Sequence, residues 1–194
     1  MTDTLSYYET NANDFIASTI SVDMHEIQNE FLSFLQKGAL ILDYGCGSGR
    51  DSKYFLEQGF KVEAFDGCKV FCEKASKLTG LHVKKLTFSN FSAEKKYDGI
   101  WACSSLLHAP KTELPLLLKN IERALKPNRF FYCSFKEGDF EGERNGRYFS
   151  DFKEEELKKL ITSSTALSPL KLWKTKDMRP NRNETWINSI WQKQ

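Results

Sequence analysis

Gly45, Gly47 and Gly49 stand at alternate positions between the apolar run Ala39 to Leu42 and the helix start Asp51-Ser52-Lys53-Tyr54-Phe55-Leu56. Glycine permits positive φ and lets backbone come close to a bound molecule, while the free N–H groups of a first helical turn face whatever lies above the strand end. In an open α/β sheet, ligands collect there. Asp66 follows a second apolar run, Phe60 to Phe65, at a spacing of about 20 residues beyond the first glycines, where an acid can take both ribose hydroxyls of an adenosine. The plainer use of Asp66 is to cap the helix expected over 68–78, and one side chain only partly serves both.

Spacing separates two kinds of nucleotide turn. A dinucleotide site reads G-x-G-x-x-G, its last glycine bringing the helix N-terminus onto a pyrophosphate. Here that position holds Arg50, a bulky cation that suits a pyrophosphate turn poorly. The pattern D-x-G-C-G-x-G from Asp43 to Gly49 resembles motif I of the class I S-adenosylmethionine-dependent methyltransferases, whose turn passes beside the methionine half of the cofactor. Within that class, Gly45-Cys46-Gly47-Ser48-Gly49-Arg50-Asp51-Ser52, with Gly59, Val62 and Asp66, is most similar to the tellurite-resistance-type and type 11 small-molecule methyltransferases.

The resemblance implies S-adenosyl-L-methionine as cofactor and S-adenosyl-L-homocysteine as product. The turn residues Gly45, Cys46, Gly47 and Gly49, with Asp66 and Gly67, become the cofactor cradle, and Arg50 a partner for the cofactor carboxylate. Family members often carry an acid after the third strand that meets the adenine amino group. This chain has Thr87 there, followed by Phe88, so adenine recognition rests more on Phe88 and its backbone. Tyr97-Asp98-Gly99-Ile100 with Leu106-Leu107-His108 resembles the block F-D-x-I/V … L-x-H, which places Ala102 and Cys103 near the methionine amino group and His108 on the substrate side. A packed or capping histidine is the plainer reading of His108.

A sulfonium methyl needs an in-line nucleophile about 3 Å away, so positioning can supply most of the acceleration. Where the acceptor carries a proton, His108 or Tyr8 is the candidate base. Tyr8 is also placed on the cofactor side, within the aromatic segment 5–20. Tyr7, Tyr8, Trp101 and Phe149 offer an alternative, an apolar or cation-holding wall. Arg147 and Arg179 are candidate substrate residues. Arg179 and Arg182, between two expected strands, can hold an anionic group, although a solvated hairpin tip is the simpler account.

Around these residues the chain alternates strands and helices. A helix with Phe31, Leu32 and Leu35 on one face precedes the first strand. Strands are predicted at 39–42, 60–65, 83–88, 97–103 and 130–135, with helices between them and one at 113–125. The stretch 136–149 reads as a long charged loop. Asp151 and Glu154 predict the N-cap and N3 of a last helix, and 169–173 and 184–191 alternate as an antiparallel strand pair. The order implies an α/β Rossmann-like class I methyltransferase fold: a mostly parallel seven-stranded sheet with an antiparallel C-terminal strand and helices on both faces. One domain spans 1–194, with 1–37 a helical lid over the cofactor site and 38–194 the core.

Composition bounds these readings. A chain of 194 residues with 40% hydrophobic and 28% charged content suits one globular domain. The net charge of +2 argues against nucleic acid as the default partner. The five cysteines, at 46, 68, 72, 103 and 133, lack paired C-x-x-C spacing and read as reduced buried thiols, with no metal site expected. No basic segment leads an apolar core and no run reaches the ~20 apolar residues of a membrane span, which predicts a cytoplasmic enzyme. Three functions stay open: a small-molecule methyltransferase, an RNA- or protein-directed one acting through Lys136, Arg144, Arg147, Arg179 and Arg182, and a catalytically silent cofactor-binding module. Acceptor and oligomeric state are not legible.

Overall fold

A computed structural model of the chain describes residues 4–179 and 182–194. The N-terminal segment is α1 (Thr4–Thr19) and α2 (His25–Leu32). Then come β1 (Leu40–Tyr44), α3 (Arg50–Glu57), β2 (Lys61–Asp66), α4 (Lys69–Thr79), β3 (Lys84–Lys85), β4 (Tyr97–Ala102), α5 (Leu114–Ala124) and β5 (Leu125–Lys136). The remainder is β6 (Glu141–Arg144), β7 (Arg147–Ser150), α6 (Glu154–Ser164), β8 (Leu167–Lys176) and β9 (Thr185–Lys193). Seven strands form one sheet in the order β3-β2-β1-β4-β5-β9-β8, with β9 antiparallel to both neighbours and the other pairings parallel.

That order sets the position of the site. From β1 the chain winds outward to β3, then returns to lay β4 on the other side of β1, so a crevice opens beyond the carboxyl ends of β1 and β4. Every residue of β4 is buried, as expected of a central strand covered on both faces. Gly99 within it allows α2 and the turn after it to approach, since a Cβ there would come within 2.9 Å of Phe31 and 3.0 Å of Leu35. On this face Trp101 stacks on Tyr132 with ring centroids 3.9 Å apart. The opposite face carries Tyr44, Phe65 and Phe91 together with the apolar side of α5.

Several predicted elements differ. The third strand shrinks from 83–88 to Lys84–Lys85, because at the sheet edge only Phe65 and Asp66 pair with it, and a 3₁₀ turn at Phe88–Asn90 follows. The fifth strand starts earlier: Leu125 already pairs with Tyr97, and Asn128 takes the left-handed turn (φ 59°) inside a register shift. The charged loop at 136–149 is instead largely the β6–β7 hairpin, turned by Asn145 and Gly146 at φ 54° and 75°. Asp151 does not cap α6. Both its carboxylate oxygens accept from Arg144 at 2.9 Å, and the cap falls at Lys153. In the segment read as a hairpin tip, positions 180 and 181 lie outside the described residues, as do 1–3. Among the described residues, no helix is long and apolar enough to cross a membrane.

Candidate active site

The glycine turn does three different jobs. At the end of β1, the amides of Gly45 and Cys46 both donate to the carbonyl of Phe65, folding the chain back over β2. Gly45 sits at φ 79° with Ser105 Cβ 2.8 Å from where its own Cβ would be, so only glycine passes beneath Ser105 and Phe88. Gly47, at φ 53°, has no heavy atom within 4 Å of that point, and its backbone lies bare on a cavity wall. Gly49, expected on the cofactor, is off that wall. It is the left-handed N-cap of α3, and a Cβ on it would meet Ala75 of α4 at 2.9 Å.

Asp66 faces the turn from the end of β2. Its Oδ2 accepts from Gly47 N–H and its Oδ1 from Cys68 N–H, each at 2.9 Å. The cap position of α4 is Cys68. Each Asp66 oxygen retains a further lone pair for a ligand hydroxyl. Burial pushes this carboxyl up to about 6, against the pull of the Cys68, Gly47 and Gly67 amides. A Cβ on Gly67 would lie 2.6 Å from the Leu5 side chain, so the bare Gly67 is the seat on which α1 rests.

These groups open into one cavity of about 860 Å³, in the upper part of the ~300–1,000 Å³ range of small-molecule sites. Tyr8, Gly45, Cys46, Gly47, Arg50, Asp66, Gly67, Thr87, Phe88, Cys103, His108, Arg147 and Arg179 all lie on its wall. Ala102 does not: as the last residue of β4 it is fully buried. Trp101 also leaves the expected wall for the core, where its indole N–H donates to Asp51 at 2.9 Å. Tyr7 is off the wall but holds a residue that is on it, as described below. Phe88 stacks on Tyr44 with centroids 5.0 Å apart, which fixes its ring at the edge of the turn.

Arg50 is held before any ligand arrives. Its Nε and Nη2 donate to the two oxygens of Asp51, and Nη1 reaches the carbonyl of Thr19 at the end of α1. Burial works against ionisation of Asp51. The Arg50 charge, with bonds from Trp101 and Gln28, outweighs it and holds the carboxyl below its ordinary value. Two guanidinium N–H groups remain for another acceptor.

Across the cavity, the two candidate bases meet. His108, in a 3₁₀ turn at Leu106–His108, donates from Nδ1 to the carbonyl of Tyr148 at 2.7 Å, since a carbonyl only accepts. Its Nε2 therefore accepts the Tyr8 hydroxyl, 2.9 Å away. Burial pushes His108 down to about 4 and raises Tyr8, leaving both neutral near pH 7. Arg147 Nη1 lies 3.3 Å from the Tyr8 oxygen, and its guanidinium packs on the rings of Tyr7, Tyr8 and Phe149 at 4.8, 5.6 and 5.1 Å.

The other candidate cations are paired. Arg179 forks onto Asp177, which also accepts from Trp186; Lys136 bonds Glu184, Arg144 bonds Asp151, and Arg182 lies 3.8 Å from Glu184. The structure also adds Ser104, Ser105, Lys136, Trp186 and Asn188 to the wall. The β6–β7 hairpin that delivers Arg147 carried a readable signal, Asn145-Gly146, the pair that favours a two-residue turn. Trp186 and Asn188 gave none, because either face of a β-strand can be the one that meets a cavity.

Residues 17–170 match a family described as the methyltransferase domain. No curated protein matches the chain. Solved structures do. 1,6-Didemethyltoxoflavin-N1-methyltransferase from Burkholderia thailandensis, with 1,6-didemethyltoxoflavin and S-adenosylhomocysteine bound, is 24% identical with a TM-score of 0.77, over 98% of this chain and 90% of its own. A TehB-like S-adenosylmethionine-dependent methyltransferase from Corynebacterium glutamicum is 17% identical with a TM-score of 0.72, over 97% and 99%. The N-methyltransferase NodS from Bradyrhizobium japonicum, in complex with S-adenosylhomocysteine, is 14% identical with a TM-score of 0.75, over 98% of each chain. At these identities the likeness is one of fold.

Proposed function

Because the chain belongs to the methyltransferase domain family, we propose that it transfers the methyl group of S-adenosylmethionine to a small-molecule acceptor in the cavity beyond β1 and β4. The observation that carries this is the continuity of that cavity, which runs from Gly47 and Asp66 to Tyr8 and His108 within one enclosure.

The residues present fit the cofactor. Asp66 has two carboxylate oxygens, each with spare acceptor capacity, for the ribose hydroxyls. Gly47 leaves the turn open where any side chain would project, and Thr87 and Phe88 border the place for adenine. Arg50 and Cys103, on the same wall, would serve the methionine end, Arg50 with two N–H groups for a carboxylate. When bound, the cofactor supplies an electrophilic sulfonium methyl group. The chain orients the acceptor and keeps water out, and α1 serves as lid: Leu5 rests on Gly67, Glu9 accepts from Lys69 N–H, and Thr19 accepts from Arg50. Where the acceptor loses a proton, the Tyr8 oxygen takes it as its own proton passes to His108 Nε2.

A small acceptor is favoured over RNA by the pairing of the basic residues. Four of the five that would have formed a nucleic-acid surface are occupied by carboxylates, whereas phosphate-tracking surfaces present unpaired cations. The test is thermal denaturation with S-adenosylhomocysteine, followed by a homocysteine-release screen of small acceptors. A rise in Tm and turnover of at least one acceptor are expected. No rise at millimolar ligand overturns the cofactor assignment, and a rise without turnover of any acceptor favours a silent module.

A further inference from the structure

Arg147 differs from the other cations on this cavity. Among the described residues no carboxylate pairs with it, while Lys136, Arg144, Arg179 and Arg182 each have one. Its Nε is buried without a hydrogen-bond partner. Its only polar contact described is the 3.3 Å bond to Tyr8. Three aromatic rings hold the guanidinium plane, which fixes its direction and leaves the fork of N–H donors unfilled. Arg147 as a whole is half-buried, and a donor buried without a partner on a cation is costly unless something negative completes it.

No described carboxylate pairs with the guanidinium: among those on this wall, Asp66 is held by backbone amides and Asp177 by Arg179. Lys136 lies on the same wall, 5.1 Å from the Phe149 ring that also carries Arg147. The hydrogen-bond partner of Arg147, Tyr8, is bonded in turn to His108. Both are neutral near pH 7, and His108 is itself depressed partly by the charges of Arg147 and Lys136. Phe149, Trp186 and the exposed Met178 give this end apolar surface for the body of a ligand.

We propose that the methyl acceptor carries an anionic oxygen group, a carboxylate or a phosphate, and that Arg147 binds it beside the Tyr8–His108 pair. The proposal rests on the methyltransferase reading above and names the acceptor class for that site. Arg147 is a substrate-binding residue in this scheme, and the anion it holds sets which end of the acceptor faces the methyl donor.

The test uses three aryl probes, benzoate, its neutral isostere benzamide, and phenyl phosphate, titrated into the protein saturated with S-adenosylhomocysteine and read by thermal shift and calorimetry. Wild type should bind at least one anion about tenfold or more tightly than benzamide, the discrimination expected of a charge-assisted hydrogen bond in a buried site. The larger of the two anion responses identifies carboxylate or phosphate. Arg147→Met should erase the preference and Arg147→Lys should restore part of it, with S-adenosylhomocysteine affinity unchanged in both. Equal binding of all three probes by wild type, no response to either anion, or a full preference in Arg147→Met overturns the proposal. So does a loss of S-adenosylhomocysteine affinity in Arg147→Met equal to its loss of anion affinity, because Arg147 then serves the cofactor carboxylate. Should Arg147→Met fail to fold, the wild-type comparison and Arg147→Lys decide. If S-adenosylhomocysteine does not bind at all, the methyltransferase reading falls separately and the anion preference is measured on the protein alone.

Discussion

The hydroxyl of Tyr8 and Nε2 of His108 lie 2.9 Å apart although one belongs to the N-terminal helix and the other to the turn after β4. This contact ties α1 to the turn after β4 and joins the two side chains proposed above to move a proton. The carbonyl of Tyr148 fixes the imidazole tautomer from the other side. His108, pushed down to about 4 by burial, keeps its Nε2 lone pair available across the physiological range.

Tyr8→Phe and His108→Asn should each lower kcat by about 10²-fold toward an acceptor that loses a proton, a general-base effect. Affinity for S-adenosylhomocysteine, measured by calorimetry, should stay within about threefold, less than one hydrogen bond is worth. A kcat close to wild type in both variants removes the proton-transfer role.

Binding of S-adenosylhomocysteine should weaken as pH falls through about 6, where the Asp66 carboxyl takes up its proton and loses acceptor capacity. Stability of the protein alone carries the opposite sign. A folded value raised from 3.8 to about 6 means that the Asp66 contribution is fully present below 3.8 and is lost as pH rises through 6. Calorimetric titrations between pH 5 and 8 check the first and Tm across the same range the second, on the order of one proton each. Asp66→Asn should flatten both.

Gly47→Ala and Gly49→Ala should separate binding from stability. At Gly47 the added methyl meets nothing, so beyond the strain of φ 53° its effect is to obstruct the ligand. Loss of S-adenosylhomocysteine binding with a stability cost of about 1 kcal/mol is expected. At Gly49 the methyl meets the backbone and side chain of Ala75 at 3.0 and 2.9 Å, so destabilisation of about 2–4 kcal/mol in urea is expected.

Asp51→Ala should cost about 3–5 kcal/mol, because it leaves the buried Arg50 charge uncompensated and frees the donors of Trp101 and Gln28. Trp101→Phe removes one of those bonds and should cost about 1–3 kcal/mol. Urea denaturation of both variants measures this. A smaller loss in Asp51→Ala than in Trp101→Phe would show that Arg50 finds another partner.

Residues that act close to where they stand in the chain were readable. Motif I declared a strand, a turn and a helix, since positive φ beneath close neighbours, as at Gly45, favours glycine, and the place of Asp66 at the end of β2 followed from strand length. The mostly parallel sheet came with them, because alternating strand and helix patterns call for parallel strands joined by crossover helices, while the strand order emerged only from the structure. Gly49 lies off the cavity wall for a physical reason: positive φ serves a ligand turn and a close helix contact alike, and only the position of Ala75 tells them apart.

What folding alone decided is which distant side chains share a cavity and which are spent elsewhere. Trp101 and Trp186 both lie in apolar strands, yet pleat and register send the first to the core against Tyr132 and the second to the cavity wall. Arg144 and Arg147 flank the same turn, but Asp151 neutralises one, while aromatic rings and the Tyr8 hydroxyl receive the other. Sequence determines local backbone preference and the period of burial. Charge pairing depends on through-space neighbours, and those exist only after α1, the β6–β7 hairpin and the strand pair β8–β9 have closed around the ends of β1 and β4.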